Sequence, residues 1–150
     1  RDMLLGGYGV RSDRAALTYL GDRLDVEVHT FELARPFYHL DVCIAPIDQD
    51  TCLYYPGAFT SAGRARLSAL VPRLVAVTER EAKLLACNSV SVNGTVVMST
   101  TRATRVAGLL RTLGKRVVEL DVSEFSKAGG GAKCLTLEAY RPRDAQRKVA

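Results

Sequence analysis

The sequence predicts an α/β protein built from repeated strand–strand–helix–strand (ββαβ) units, and three observations carry that prediction. Residues 40–77 and 89–120 run through the same order of elements with little identity between the two copies. Asn93-Gly94 separates two short apolar runs and is the strongest two-residue hairpin signal in the chain. Hairpins recur ahead of stretches with helical spacing, an order unlike that of a doubly wound nucleotide-binding sheet.

Residues 3–8 read as a short buried strand closed by Gly9. Ser12 and Asp13 supply N-cap chemistry, and Ala15, Ala16, Leu17 and Leu20 carry helical spacing to Leu24. Val26, Val28 and Thr30 alternate as in a strand over 26–33, and Ala34-Arg35-Pro36 is a turn. Strands are expected at 40–47 and 51–55 around Asp48-Gln49-Asp50. A helix at 61–70 and a strand at 74–77 follow, and then Thr78-x-x-Glu81 has the form of a capping box opening a helix to Ala86. Strands at 89–92 and 95–98 flank the Asn-Gly turn. The stretch 101–113 is a helix ended by Gly114, 116–120 is a strand, and a glycine loop leads into a last strand at 134–140.

With 150 residues, 47% hydrophobic and 25% charged, the composition suits one soluble globular domain. No apolar run approaches the roughly 20 residues that span a bilayer, which argues against a membrane partner. Arg1-Asp2 leads directly into a strand-like run, without the form of a signal peptide. Because the chain begins on Arg1 and not on methionine, a processed or truncated product is expected. Four cysteines without Cys-x-x-Cys spacing point away from zinc and toward a reduced, cytoplasmic setting. Cys43 and Cys52 lie in apolar strand-like runs, Cys87 ends a helical run, and all three are expected as core thiols. The net charge of +5 collects in Arg141, Arg143, Arg147 and Lys148. Residues 141–150 are therefore expected as a mobile solvated basic tail beyond a domain of residues 1–140. No nucleic-acid-binding signature accompanies them, so no nucleic-acid partner is expected.

The chemistry concentrates in three places. Gly129-Gly130-Gly131-Ala132-Lys133-Cys134 sets a cysteine after a run of glycines with a lysine beside the sulfur. Glycine lets backbone and ligand approach closely, and positive charge favours the thiolate, so Cys134 suits a nucleophile. A tight turn feeding a core strand explains the same residues. The run is not a phosphate-binding loop, since it lacks Gly-Lys-Ser/Thr and precedes a strand. His39 and Asp41, two apart on an extended chain, would share a face about 7 Å apart and serve cation binding or proton transfer. A histidine hydrogen-bonded at a strand edge is the plainer account. Arg11 lies between a strand end and a helix N-terminus, placed to take a carboxylate or simply to face solvent.

Taken together these pieces resemble the guanidino-group-modifying (amidinotransferase, or pentein) superfamily, which includes dimethylarginine dimethylaminohydrolase, arginine deiminase and glycine amidinotransferase. The resemblance lies in Gly7-Tyr8-Gly9-Val10-Arg11-Ser12, His39-Leu40-Asp41 and the segment from Lys127 to Thr136, with Tyr54-Tyr55-Pro56-Gly57-Ala58-Phe59 and Ala86-Cys87-Asn88 as further landmarks. It implies a fan of five ββαβ modules, a pentein-type α/β propeller, of which this chain holds about three. It implies Cys134 as nucleophile, His39 as the acid and base, Asp41 as the guanidinium's partner and Arg11 as the carboxylate's. Gly130 and Gly131 would admit the substrate, a small guanidino compound, and no metal or organic cofactor is required. The product from dimethylarginine or arginine would be citrulline.

His39-Leu40-Asp41 is closer to the deiminase and amidinotransferase pattern, while Arg11-Ser12 and the terminal segment are closer to the dimethylaminohydrolases. Members of the superfamily are nearly twice this length and carry a carboxylate motif upstream of the first glycine segment. The resemblance therefore implies a C-terminal half, inactive or weakly active alone, that dimerises or keeps a separate N-terminal half. An amidinotransferase, or a non-catalytic guanidino-binding or scaffold relative, is the alternative.

Overall fold

The computed structural model describes residues 3–137. Three small sheets follow one another along the chain. Strands β1 (Met3–Tyr8) and β2 (Glu27–Glu32) pair in parallel across helix α1 (Arg14–Leu24). The second sheet has the order β3 (Ile44–Pro46), β4 (Thr51–Tyr54), β5 (Arg73–Ala76), with helix α2 (Ser61–Leu70) crossing from β4 to β5. Helix α3 (Glu79–Lys83) leads to the third sheet, β6 (Val90–Val92), β7 (Thr95–Met98), β8 (Arg116–Glu119), with α4 (Thr104–Thr112) as its crossover. In both three-stranded sheets the middle strand is antiparallel to the one before it and parallel to the one after the helix. The two ββαβ units expected from the sequence are therefore present. A short helix α5 (Ser123–Ser126) then opens the glycine loop.

Local chemistry explains the boundaries. The Asp13 side chain accepts from Ala15 N–H at the head of α1, and Asp25 ends that helix in a left-handed conformation. Thr78 and Glu81 form the reciprocal capping box. Asn93 (φ 48°) and Gly94 (φ 74°) both take the left-handed conformation that a two-residue turn of this hand demands.

Two cores hold the units together. Phe31, Leu33, Cys43, Ile44, Cys52, Phe59 and Leu67 fill the space between the first unit and the second. Leu53, Val77, Cys87, Val96, Met98, Val106 and Leu110 fill that between the second and the third. Each fully buried leucine contributes about 1.5–3 kcal/mol. Phe37 and Tyr55 pack against both cores, ring to ring at 5.2 Å, and anchor the segment that carries His39.

Polar ties reinforce the second junction. Arg105 on α4 pairs with Glu81 and donates to the Ala76 carbonyl, and Lys115 Nζ lies 2.6 Å from Asp48 in the β3–β4 turn. The hydrogen bond from Lys115, with those from the Asp50 and Thr51 backbone, lowers the Asp48 carboxyl from 3.8 to about 2. A carboxylate held ionised in the folded state stabilises it fully above the unfolded value and loses that contribution as pH falls through the folded one. Asp48 is partly exposed, so solvent screening reduces the effect to about 1 kcal/mol. Stability is expected to drop between pH 4 and 2, with a shallower drop in Asp48→Asn, as measured by urea midpoints across that range.

Three expectations are corrected. Residues 40–47 are not one strand: Leu40–Val42 form a 3₁₀ turn and only Ile44–Pro46 pair with β4. The bonds from Val42 N–H to His39 O and from Cys43 N–H to Leu40 O close that turn in place of a ladder. Cys134 does not begin a strand. It lies in a turn closed by Leu135 N–H to Gly131 O, and the rest of the expected strand beyond Leu137 falls outside the described residues, as does the basic tail. The helix expected at 101–113 begins only at Thr104, because the Thr100 hydroxyl takes the Arg102 N–H in a turn.

Candidate active site

Segments distant in sequence meet around one cavity of about 510 Å³, lined by Arg11, Tyr38, His39, Asp41, Ala128, Gly129, Gly130 and Cys134. Arg11 comes from the turn between β1 and α1. His39 and Asp41 come from the 3₁₀ turn before β3, with His39 extended at its N-cap and Asp41 within it. The two are therefore brought to one cavity by a turn and not by strand alternation. The glycine loop supplies the far wall. Gly129 has φ 96° and a Cβ there would stand 2.9 Å from the Tyr38 hydroxyl, so both backbone and space require glycine. Tyr38 donates its hydroxyl to the Gly129 carbonyl and its ring meets the His39 ring edge-on at 5.1 Å. Burial, then Coulombic repulsion from Cys134 and Asp41 in their ionised forms, pushes the Tyr38 hydroxyl above its ordinary value, against the pull of Arg11.

Gly131 stands behind this wall and not on it. Its N–H donates to Asn88 Oδ1 at 3.0 Å, and it is buried against Ser99. Lys133 is likewise not beside the sulfur in the cavity: it lines a separate hollow with Pro46 and residues 89–91, since the turn at Cys134 directs successive side chains apart.

The four cysteines separate by environment. Cys43 and Cys52 are buried, which pushes each thiol up to about 12, and burial likewise raises the Cys87 thiol well above its ordinary value. Such thiols stay protonated, as expected of core residues. Cys134 is exposed. Its Sγ lies 3.4 Å from Asp41 Oδ2 and 3.1 Å from Asn88 Nδ2. Among the described residues the other oxygen, Asp41 Oδ1, is buried without a hydrogen-bond partner.

Sequence alone assigns Asn88 no role. It is fully buried, and besides the sulfur it donates to the Asp41 carbonyl at 3.0 Å while its Oδ1 accepts from Gly131 and Cys134 N–H. Ser99 donates to the Asn88 carbonyl and accepts from Ala132 N–H at 2.7 Å. The only sequence signal for Asn88 was its place in the Ala86-Cys87-Asn88 landmark, and nothing singled out Ser99 or Tyr38. Among the described residues no three His, Cys, Asp or Glu side chains form a metal-binding group, and no helix is long and apolar enough to cross a membrane.

The sequence profile of the family described as N,N dimethylarginine dimethylhydrolase, eukaryotic, matches residues 3–141. The chain belongs to this family. It is 39% identical to the N(G),N(G)-dimethylarginine dimethylaminohydrolase of Mycobacterium tuberculosis over 93% of its own length and 46% of that enzyme's. The crystal structure of the N-terminal domain of ArgZ bound to product, an arginine dihydrolase from cyanobacteria, superposes with a TM-score of 0.86 at 38% identity, covering 92% of this chain and 51% of that one. A second structure of that ArgZ domain is covalently bonded to a reaction intermediate, with the same TM-score of 0.86 and coverage of 92% and 52%. A dimethylarginine dimethylaminohydrolase from Pseudomonas aeruginosa complexed with citrulline, at 20% identity and TM-score 0.72 over 86% of this chain and 48% of that one, shares the fold. The α/β units are thus those of the dimethylarginine dimethylaminohydrolase family, and the chain spans about half the length of the Mycobacterium enzyme.

Proposed function

We propose that this chain carries the nucleophile side of a guanidino C–N hydrolase that converts arginine or a methylated arginine to citrulline. The observation that carries the reading is Cys134, exposed in a cavity shared with His39, Arg11 and Asp41, whose Oδ2 lies 3.4 Å from the sulfur. A planar guanidinium suits the Asp41 carboxylate, because its N–H groups donate in a fork to such a group. Arg11 takes the substrate's carboxylate, and Gly130 lets the substrate approach the loop.

Chemistry follows from that placement. The thiol proton leaves to solvent when the substrate cation occupies Asp41, and the sulfur attacks the guanidinium carbon. The C–N bond breaks as His39 protonates the departing amine. The neutral imidazole then deprotonates a water that attacks the same carbon, the C–S bond breaks, and citrulline and the thiolate are released. The relatives' arginine dihydrolase and dimethylaminohydrolase activities, and the covalent intermediate held by ArgZ, support this sequence of steps.

The same proposal includes the chain as the C-terminal portion of a pentein-type propeller of five modules, inactive or weakly active alone. Strands β4 and β7 each have an antiparallel neighbour that β1 lacks among the described residues. Met3, Tyr19, Leu20 and Leu24 are exposed on that first unit, and an apolar groove of about 440 Å³ runs past Met3, Leu5, Ile44 and Leu70. Such an edge and face are covered by a strand from an N-terminal half or by a second copy.

The deciding assay follows citrulline with ammonia from arginine, or with dimethylamine from asymmetric dimethylarginine, for the chain alone and for a form extended upstream. The extended form is expected to turn over one of them. If it is as inert as Cys134→Ser on every substrate, the hydrolase reading fails. Asp41→Asn keeps shape but removes the charge, and is expected to raise KM for that substrate at least about tenfold, the loss of a charge-assisted hydrogen bond. An unchanged KM would remove Asp41 from guanidinium binding.

A further inference from the structure

The amide of Asn88 has only one orientation that satisfies its neighbours. Gly131 N–H (3.0 Å) and Cys134 N–H (3.3 Å) can only donate, so Oδ1 must face them. Both Nδ2 protons are then left for the Asp41 carbonyl at 3.0 Å, which can only accept, and for Cys134 Sγ at 3.1 Å. The sulfur therefore meets a fixed N–H and must send its own proton elsewhere. Its acceptor is Asp41 Oδ2 at 3.4 Å. Ser99 ties the Asn88 carbonyl to the glycine loop through Ala132, so the donor cannot swing away without moving the loop.

We infer that Asn88 is a catalytic residue of the proposed hydrolysis, its Nδ2–H donating to Cys134 Sγ and stabilising the thiolate both as it attacks and as it leaves. The inference rests on the reading of Cys134 as nucleophile given above. Asn88 neither gives nor takes a proton. A hydrogen bond to a charged acceptor is stronger than one to a neutral thiol, so the donor favours the ionised sulfur over S–H. It weakens when the C–S bond forms and strengthens again when that bond breaks. Asp41 works in the opposite sense until a guanidinium engages it. The other titratable or charged groups facing the sulfur are Tyr38, His39 and Arg11 across the cavity, with Lys133 next in the chain.

Alkylation of Cys134 by iodoacetamide as a function of pH tests this without turnover. In Asn88→Ala the midpoint is expected to rise by about one pH unit, which below the midpoint is a tenfold slower reaction. Superimposed profiles would overturn the inference. Asn88→Ala also strips two backbone N–H groups of their acceptor, so a second measurement uses the unaltered protein: nitrogen-resolved NMR of the Asn88 side-chain amide. One of its two proton resonances is expected to shift with the same midpoint as Cys134 alkylation, and a resonance that stays flat through that midpoint would overturn the inference whether or not the variant folds. Failure of the hydrolase reading is separable. It appears as absent citrulline formation while the Asn88 resonance still titrates.

Discussion

Cys134→Ser is expected to lower citrulline formation at least about 1,000-fold in whichever form of the protein turns over, with little change in melting temperature. A serine hydroxyl ionises far above neutrality, and among the described residues the groups hydrogen-bonded to Sγ are an amide N–H and a carboxylate, the latter far too weak a base to ionise an alcohol. The exposed position explains why folding should tolerate the exchange. A haloacetamidine, which pairs a guanidinium-like cation with an electrophilic carbon, is expected to add once, at Cys134, as read by intact mass and peptide mapping. At pH 8 a thiol pushed up to about 12, as in Cys43 and Cys52, is ionised in about one molecule in ten thousand. Labelling of Cys43 or Cys87 ahead of Cys134 would contradict the assignment.

Gly131→Ala is expected to be the most damaging single methyl group in the glycine loop. A Cβ there would lie 2.7 Å from Ser99 Cβ and 2.8 Å from Asn88 Oδ1, both on buried residues that cannot yield freely. Overpacking of this kind costs about 2 kcal/mol, which at this chain length lowers Tm by roughly 4–8 °C. The displaced groups are also those that hold the sulfur, so haloacetamidine labelling of Cys134 should slow in the same variant. Gly108→Ala is the control. That glycine is within α4 with open space around its Cα, and alanine there should hold or raise Tm. Equal melting temperatures for the two variants would contradict the packing described behind the loop.

Where the fold was readable in the sequence, the signals were local. The capping box at Thr78 and Glu81 depends on residues three apart, and the Asn93-Gly94 turn on two adjacent φ values, so neither needs a partner from elsewhere. The errors fell where long-range contacts overrode local pattern. Leu40–Val42 have the composition of a strand but coil into a 3₁₀ turn, because β4 pairs only from Ile44 onward. The residues after Gly131 read as a strand entry, yet Asn88, 43 residues upstream, takes the Gly131 and Cys134 N–H groups and bends the chain there.

The sequence by itself determined the two ββαβ units and the set of side chains with reactive chemistry, Cys134, His39, Asp41 and Arg11, since repeats, caps and residue types are properties of short segments. Only the tertiary structure decided that these four share one cavity, that Gly131 and Lys133 do not, and that Asn88, Ser99 and Tyr38 hold the parts in place. The reason is physical. A buried amide or hydroxyl is recognisable as a site residue only through the partners it satisfies, and those partners lie on segments that only folding brings within hydrogen-bond distance.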